Sequence, residues 1–366
     1  MAGSTYGKIF QITTWGESHG SALGVVVDGC PAGLSLCTDD IQAYLDRRKP
    51  GQTRIATQRR EDDTVEILSG IFEGRTTGTP ISMMVRNTSQ RSSDYSEIAN
   101  YYRPGHADYT FDVKYGFRDY RGGGRSSGRE TIGRVAAGAI AAKLLREFGI
   151  TLSAYTIAIG PIKIDRSRFD LNAARTTSTG MPDPEASAAA EEYLADCMHN
   201  YDSSGGVIEC VIDGVPAGLG DPVFEKLDAG LAKAVMSIGA VKAVEIGDGT
   251  AVSVRSGSQN NDPFRMKDGQ VCKTSNHAGG ILGGISDGSR IILRAHVKPT
   301  PSIFSPQQTV NRQGEDIEIA IRGRHDPVIV PRAVVVVETM AALTIADALL
   351  LNASAKVDHL KRIYDR

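Results

Sequence analysis

Short runs of apolar residues at Leu23–Asp28, Ile81–Arg86, Val207–Asp213, Arg290–Val297 and Ala333–Val337 read as strands. Longer stretches repeat apolar residues at helical spacing: Thr38–Arg48, Glu130–Phe148, Pro184–His199, Pro222–Met236 and Glu338–Ala355. The first opens on Thr38 as N-cap, with Asp39 and Asp40 in its first turn, and stops before Pro50-Gly51. The second carries Ile132, Val135, Ala136, Ala139, Ile140 and Leu144 on one stripe and ends at Gly149. In the fourth, Asp221 is placed as N-cap and Pro222 at the first helical position. Strands and helices mix without regular β-α alternation, so the pattern predicts an α+β fold. No shift of composition marks a linker, Thr176–Glu185 is the best candidate for an excursion, and no repeat of 20–50 residues recurs.

Composition narrows the class. A chain of 366 residues can bury a large core as one domain or two. A formal net charge of −2 argues against global nucleic-acid binding. No run is read as approaching the ~18 apolar residues of a membrane span. The segment Met1–Lys8 has no apolar signal region, so a cytoplasmic home is expected. The cysteines, Cys30, Cys37, Cys197, Cys210 and Cys272, are scattered and form no C-x-x-C. That fits reduced thiols, with no disulfide scaffold and no metal site.

Candidate chemistry lies in the polar islands between elements. The most informative is Arg121–Thr131, which packs arginines, serines and glycines directly before a helix. Glycine admits close backbone approach, arginine offers a planar fork, and a capped helix start favours anions. Ser127 and Glu130 have the spacing of a capping box. Other islands pair glycine or proline with histidine, arginine and aspartate: Gly16–Gly20, Arg47–Arg54, Arg103–Asp108, Asn276–Gly280, Lys298–Ser302 and Arg322–Pro327. Singly each has an ordinary reading, as a turn histidine, a cationic helix end, an Asx turn or a rigid connection. Their number in one chain disfavours those readings and points to a small, highly charged ligand.

Together, GESHG at 16–20, GGGRSSGRET at 122–131 and GRHDP at 323–327, with the remaining islands in order, resemble the chorismate synthase family. The resemblance runs from near the N-terminus to about residue 340. It implies one large domain over residues 1–366, a β-α-β sandwich. It implies conversion of 5-enolpyruvylshikimate 3-phosphate to chorismate and phosphate by 1,4-anti elimination, with reduced FMN as cofactor. The family's motifs place His19 beside the departing phosphate, His106 beside the flavin and Asp326 at the ring proton. They imply Arg48, Arg54, Arg103, Ser127, Arg129 and Arg324 as substrate contacts. They imply Arg48, Arg54, Arg125, Ser126, Ser127, Gly239, Ala240, Gly283, Lys298, Pro299, Thr300, Pro301, Ser302 and Arg324 as cofactor contacts. Bidentate arginine suits a substrate with two carboxylates and a phosphate. The resemblance further implies a homotetramer. Reducing equivalents come from an external flavin reductase or, as an alternative, from NADPH, and neither nucleic acid nor membrane is a partner. A dinucleotide-dependent oxidoreductase is disfavoured because no G-x-G-x-x-G follows a strand. A binder of single-stranded RNA is disfavoured by 6% aromatic content and the acidic balance.

Overall fold

The computed structural model describes residues 3–49, 62–87, 97–321 and 326–364. Two five-stranded antiparallel sheets enclose a layer of helices. The first sheet contains Thr5–Tyr6 (β1), Gln11–Gly16 (β2), Ala22–Asp28 (β3), Val65–Ile67 (β4) and Ile81–Arg86 (β5), in the order β1-β2-β3-β5-β4. The second contains Thr151–Ile159 (β6), Ile162–Lys163 (β7), Gly206–Asp213 (β8), Val241–Ile246 (β9) and Ile291–Val297 (β10), in the order β9-β10-β8-β6-β7. The principal helices are Thr38–Arg48 (α1), Asp108–Tyr115 (α2), Thr131–Arg146 (α3), Pro184–His199 (α4), Leu227–Met236 (α5) and Val330–Leu351 (α6). Small hairpins decorate this frame, among them Phe264–Lys273 and Ile281–Ser286.

Alternation explains the sheets. In β5, Ile81, Met83 and Val85 are buried while the residues between them are not, and β10 repeats the pattern with Ile291, Leu293, Ala295 and Val297. Between the sheets, α3 packs on the first sheet and on α6, and α6 packs on the second. Small residues permit this closeness. A Cβ on Gly133 would come within 3.1 Å of the Gly24 carbonyl, and one on Gly138 within 2.3 Å of Thr339 Cβ. The result is the α+β, single-domain β-α-β sandwich that the resemblance implies.

Several local expectations need correction. Ala333–Val337 is not a strand but part of α6. Its four valines favour β structure, yet Pro331 opens a helix and all four are buried in the helical layer, so packing overrides propensity. Val330–Ser354, which is α6 with its final turn, is long and apolar enough to cross a membrane, contrary to the expectation that no run approaches that length. It is mostly buried inside the fold, as an all-round apolar helix of a protein core should be. The helix expected from Pro222 begins at Leu227 instead, with Lys226 as N-cap. Val223 sits at φ 66°, which no helix can accommodate. The N-cap of α1 is Cys37 rather than Thr38.

The chain's start is tied to the core through one carboxylate. Asp347 near the end of α6 accepts the backbone N–H groups of Lys8, Ile9 and Phe10 at 2.9, 2.7 and 3.0 Å. That fixes β2, which carries the Gly16–Gly20 turn at its end.

Candidate active site

The loop at 121–131 folds as two short 3-10 turns, Gly124–Ser126 and Gly128–Glu130, that lead into α3. Gly122 lies against His19: at φ 69°, a Cβ there would stand 2.3 Å from the imidazole Cδ2 and 2.5 Å from Nε2. Glycine is therefore required by contact as well as by backbone. Ser18 Oγ donates to the Gly122 carbonyl at 3.2 Å, and His19 is buried. Ser127 is an N-cap, but the capping box is incomplete. Its Oγ accepts the Arg129 N–H at 3.3 Å, while the Glu130 carboxylate pairs forward with Arg134 at 2.9 Å, one helical turn on.

Beneath this loop two guanidinium groups share one carboxylate. Asp63 receives Arg48 Nη1 at 2.7 Å and Arg129 Nη1 at 2.9 Å, with all three residues buried. Burial pushes the Asp63 carboxyl up and the Arg48 guanidinium down to about 10, which leaves the arginine cationic at neutral pH. Arg48 also donates to Thr131 Oγ1 and the Gly128 carbonyl, so it braces the loop. Arg129 Nε reaches Asn87 Oδ1 at 2.6 Å, and Asn87 Nδ2 donates to the Glu17 and Gly20 carbonyls. A continuous polar path thus joins α1, α3 and the His19 turn. Arg332, in the first turn of α6, donates Nη1 to Asp326 Oδ2 at 2.5 Å and Nε to the Arg48 carbonyl at 3.3 Å. It extends that path to Asp326.

The second half of the site is built on the 103–108 loop. Arg103 holds Asp108 with Nε and Nη2, both at 2.8 Å. His106 Nδ1 is 3.1 Å from the Pro104 carbonyl and Nε2 is 2.9 Å from Ser302 Oγ. Desolvation, then the charge of Arg103, lowers its pKa to about 4. The ring is therefore neutral at pH 7, with Nδ1–H donating to the carbonyl and Nε2 accepting from the serine hydroxyl. Lys298 Nζ donates to the Gly105 carbonyl at 2.8 Å, and its backbone N–H to the Ala240 carbonyl at 2.9 Å. Ala240 occupies φ 73° beside Gly239, a strained turn before β9. Ser203 Oγ bonds the Thr300 carbonyl, and the next residue's N–H bonds the Pro327 carbonyl. Those two bonds tie Pro327, the neighbour of Asp326, and the Lys298–Ser302 segment to consecutive residues, Ser203 and Ser204.

The structure brings together His19, Arg48, Arg103, His106, Arg125, Ser126, Ser127, Arg129, Gly239, Ala240, Lys298, Pro299, Thr300, Pro301, Ser302 and Asp326 in two adjoining clusters. Arg54 and Arg324 lie outside the described residues. Gly283 stands apart, at the tip of the Ile281–Ser286 hairpin, whose Gly284 packs on Lys226. Arg125 donates to Gly16, Thr14 and Ser4 oxygens rather than to a carboxylate. Sequence reasoning passed over Asp63, Asn87 and Arg332. None belongs to a motif, and only their contacts reveal them.

Among the described residues, Arg48 and Arg129 share the Asp63 carboxylate, while Lys298 and Arg125 pair with no carboxylate. Thr300 Oγ1 is buried and has no hydrogen-bond partner among the described residues. A buried orphan hydroxyl beside an uncompensated lysine suits an anionic group that accepts from both.

A family model described as chorismate synthase matches residues 10–350. A chorismate synthase of Agathobacter rectalis is 65% identical over the full length of both chains. One of Chloroflexus aurantiacus is 55% identical over 98% of each. A solved structure described as a crystal structure of chorismate synthase superposes with a TM-score of 0.76 at 32% identity, covering 98% of this chain and 97% of the other. With the fold, the motif loops and the full-length likeness in accord, the chain belongs to the chorismate synthase family, whose members are carbon–oxygen lyases acting on phosphates.

Proposed function

We propose that this chain eliminates phosphate from 5-enolpyruvylshikimate 3-phosphate with reduced FMN bound beside the substrate. The observation that carries the reading is the shared carboxylate of Asp63, which sets Arg48 and Arg129 under the loop that holds His19. Arg129, Arg48 and, by the family motif, Arg54 and Arg324 neutralise the substrate's anionic groups. His19 stabilises the charge that grows on the departing phosphate. Asp326 accepts the ring proton, held in orientation by Arg332. Lys298, Thr300 and Ser302 would hold the flavin with Arg125, Ser126, Gly239 and Ala240; among the described residues the Thr300 hydroxyl has no hydrogen-bond partner and the Lys298 ammonium no carboxylate partner, which favours that assignment. When bound, reduced FMN would supply electron density for the loss of phosphate. His106 would meet it as a neutral imidazole, whose affinity for a proton rises when an anion lies beside it.

The wider reading is a cytoplasmic homotetramer fed by an external flavin reductase, with NADPH as the alternative electron source, and with neither nucleic acid nor membrane as partner. The test is anaerobic incubation of the protein with reduced FMN and substrate. Phosphate and chorismate should appear in equal amounts, and folded protein that releases neither would overturn the proposal. Asp326→Asn should lose turnover while substrate binding persists; weakened binding with turnover intact would remove Asp326 from proton transfer.

A further inference from the structure

A cavity of about 430 Å3 lies between α1, the end of α3, β6 and the start of α6. Its lining includes apolar Leu152, Ala154, Val334 and Val335, and also Tyr44, Arg47 and Glu338. Residues 47 and 48 are one position apart on α1, so they point about 100° from each other. Arg48 turns to Asp63, while Arg47 turns to this cavity and pairs with Glu338 at 2.7 and 2.8 Å. The same Glu338, the one acid among the described lining residues, also accepts the Ala154 N–H.

Positive charge is left over. Arg146 and Arg175 both line the cavity, both are exposed, and neither has a carboxylate partner among the described residues. Arg146 Nη2 donates to the Tyr44 hydroxyl at 3.0 Å, and the charges of Arg146, Arg47 and Arg175 all act on that hydroxyl. Lys49 is balanced by Asp46, and Arg332, which also lines the cavity, by Asp326. A mixed lining, apolar on one side and bearing two guanidinium groups without a carboxylate partner among the described residues, favours a ligand that is apolar at one end and anionic at the other.

We propose that this cavity is a second ligand site, which takes a small organic anion: a ring or short apolar body bearing one phosphate or carboxylate. The body rests on Leu152, Leu171 and Val334, and the anionic group meets Arg146 and Arg175. Arg332 belongs to both this cavity and Asp326, so an occupant reaches the elimination site through one side chain. That coupling, though not the site itself, rests on Asp326 as the base.

The test titrates phenyl phosphate into the full-length, flavin-free protein by calorimetry, with inorganic phosphate and phenol as half-ligands. Saturable binding is expected for phenyl phosphate, at least about tenfold tighter than for either half-ligand. The double substitution Arg146→Ala and Arg175→Ala should weaken it by about tenfold or more, while Arg129→Gln leaves it intact. Absent binding, binding that survives the double substitution, or binding lost with Arg129→Gln would each overturn the site. Inorganic phosphate binding as tightly would overturn the apolar half of the ligand. For the coupling, saturating phenyl phosphate should lower the rate of chorismate formation at saturating substrate in the parent protein but not in the double variant. An unchanged rate with the cavity occupied would overturn the coupling alone.

Discussion

Arg332 Nη1 stands 2.5 Å from Asp326 Oδ2, and the same guanidinium bonds the Arg48 carbonyl through Nε. Two segments far apart in sequence are thereby locked at one corner: the end of α1 and the start of α6. Asp326 gains an orienting contact from a helix outside its own loop, and the arginine layer around Asp63 gains a mechanical link to it. Replacing Arg332 with glutamine should lower kcat by roughly tenfold to a hundredfold, since a misaligned base loses rate steeply. Substrate KM should move far less, and lysine at the same position should recover part of the rate. Stopped-flow turnover under anaerobic conditions reads both constants. A loss confined to KM would make Arg332 a binding residue instead.

Among the described residues, the Asp63 carboxylate pairs with both Arg48 and Arg129. Asp63→Asn keeps the shape and removes the charge, which leaves two buried guanidinium groups in mutual repulsion. Breaking a buried pair in this way costs about 3–5 kcal/mol. Chemical denaturation should report a fall of that order, and the variant should also bind substrate less well because Arg129 is no longer held toward Asn87. Stability equal to that of the parent would mean that solvent already screens the pair.

The neutral His106 makes stability depend on pH in a stated direction. Its folded pKa is about 4, below the usual 6.5 of the unfolded chain. Between those values the unfolded chain binds the proton and the folded protein does not. The contribution is therefore fully present above about pH 6.5 and is lost as pH falls toward 4. It amounts to roughly 3 kcal/mol at most. Urea midpoints at pH 7, 5.5 and 4.5 should fall less steeply in His106→Gln than in the parent. Parallel curves would mean that the imidazole is solvated.

Most helices and four of the sheet strands were legible because burial on one face imposes period 3.6 or 2 on the sequence, as in Pro184–His199 and Ile81–Arg86, whereas Gln11–Gly16, Thr151–Ile159 and Val241–Ile246 were passed over. The Val334–Val337 run was misread because its local chemistry favours a strand, and only its neighbours in the helical layer decide otherwise. The site divides in the same way. The motif loops announce His19, His106 and Asp326 through unusual residue combinations. Asp63, Asn87 and Arg332 act through distance alone, and nothing in Glu61-Asp62-Asp63 distinguishes the buried carboxylate from its neighbours. Ser127 was half legible: the cap is real, but which N–H it accepts depends on the 3-10 geometry of the turn.

The closeness of α3 and α6 gives the last expectation. A Cβ at Gly138 would stand 2.3 Å from Thr339 Cβ and 2.7 Å from its carbonyl oxygen, both far inside van der Waals contact. Thr339 cannot yield easily, because it is fully buried and its hydroxyl is bonded to the Val335 and Val336 carbonyls of its own helix. Gly138→Ala should gain helix propensity of about 1 kcal/mol and lose more than that to overpacking of 1–3 kcal/mol. Gly138→Val, larger still and β-branched, should be worse than alanine in the same assay. Thermal unfolding of the pair checks the order. If alanine raised the midpoint instead, the two helices would have to separate at little cost, and the helical layer would be looser than its burial implies.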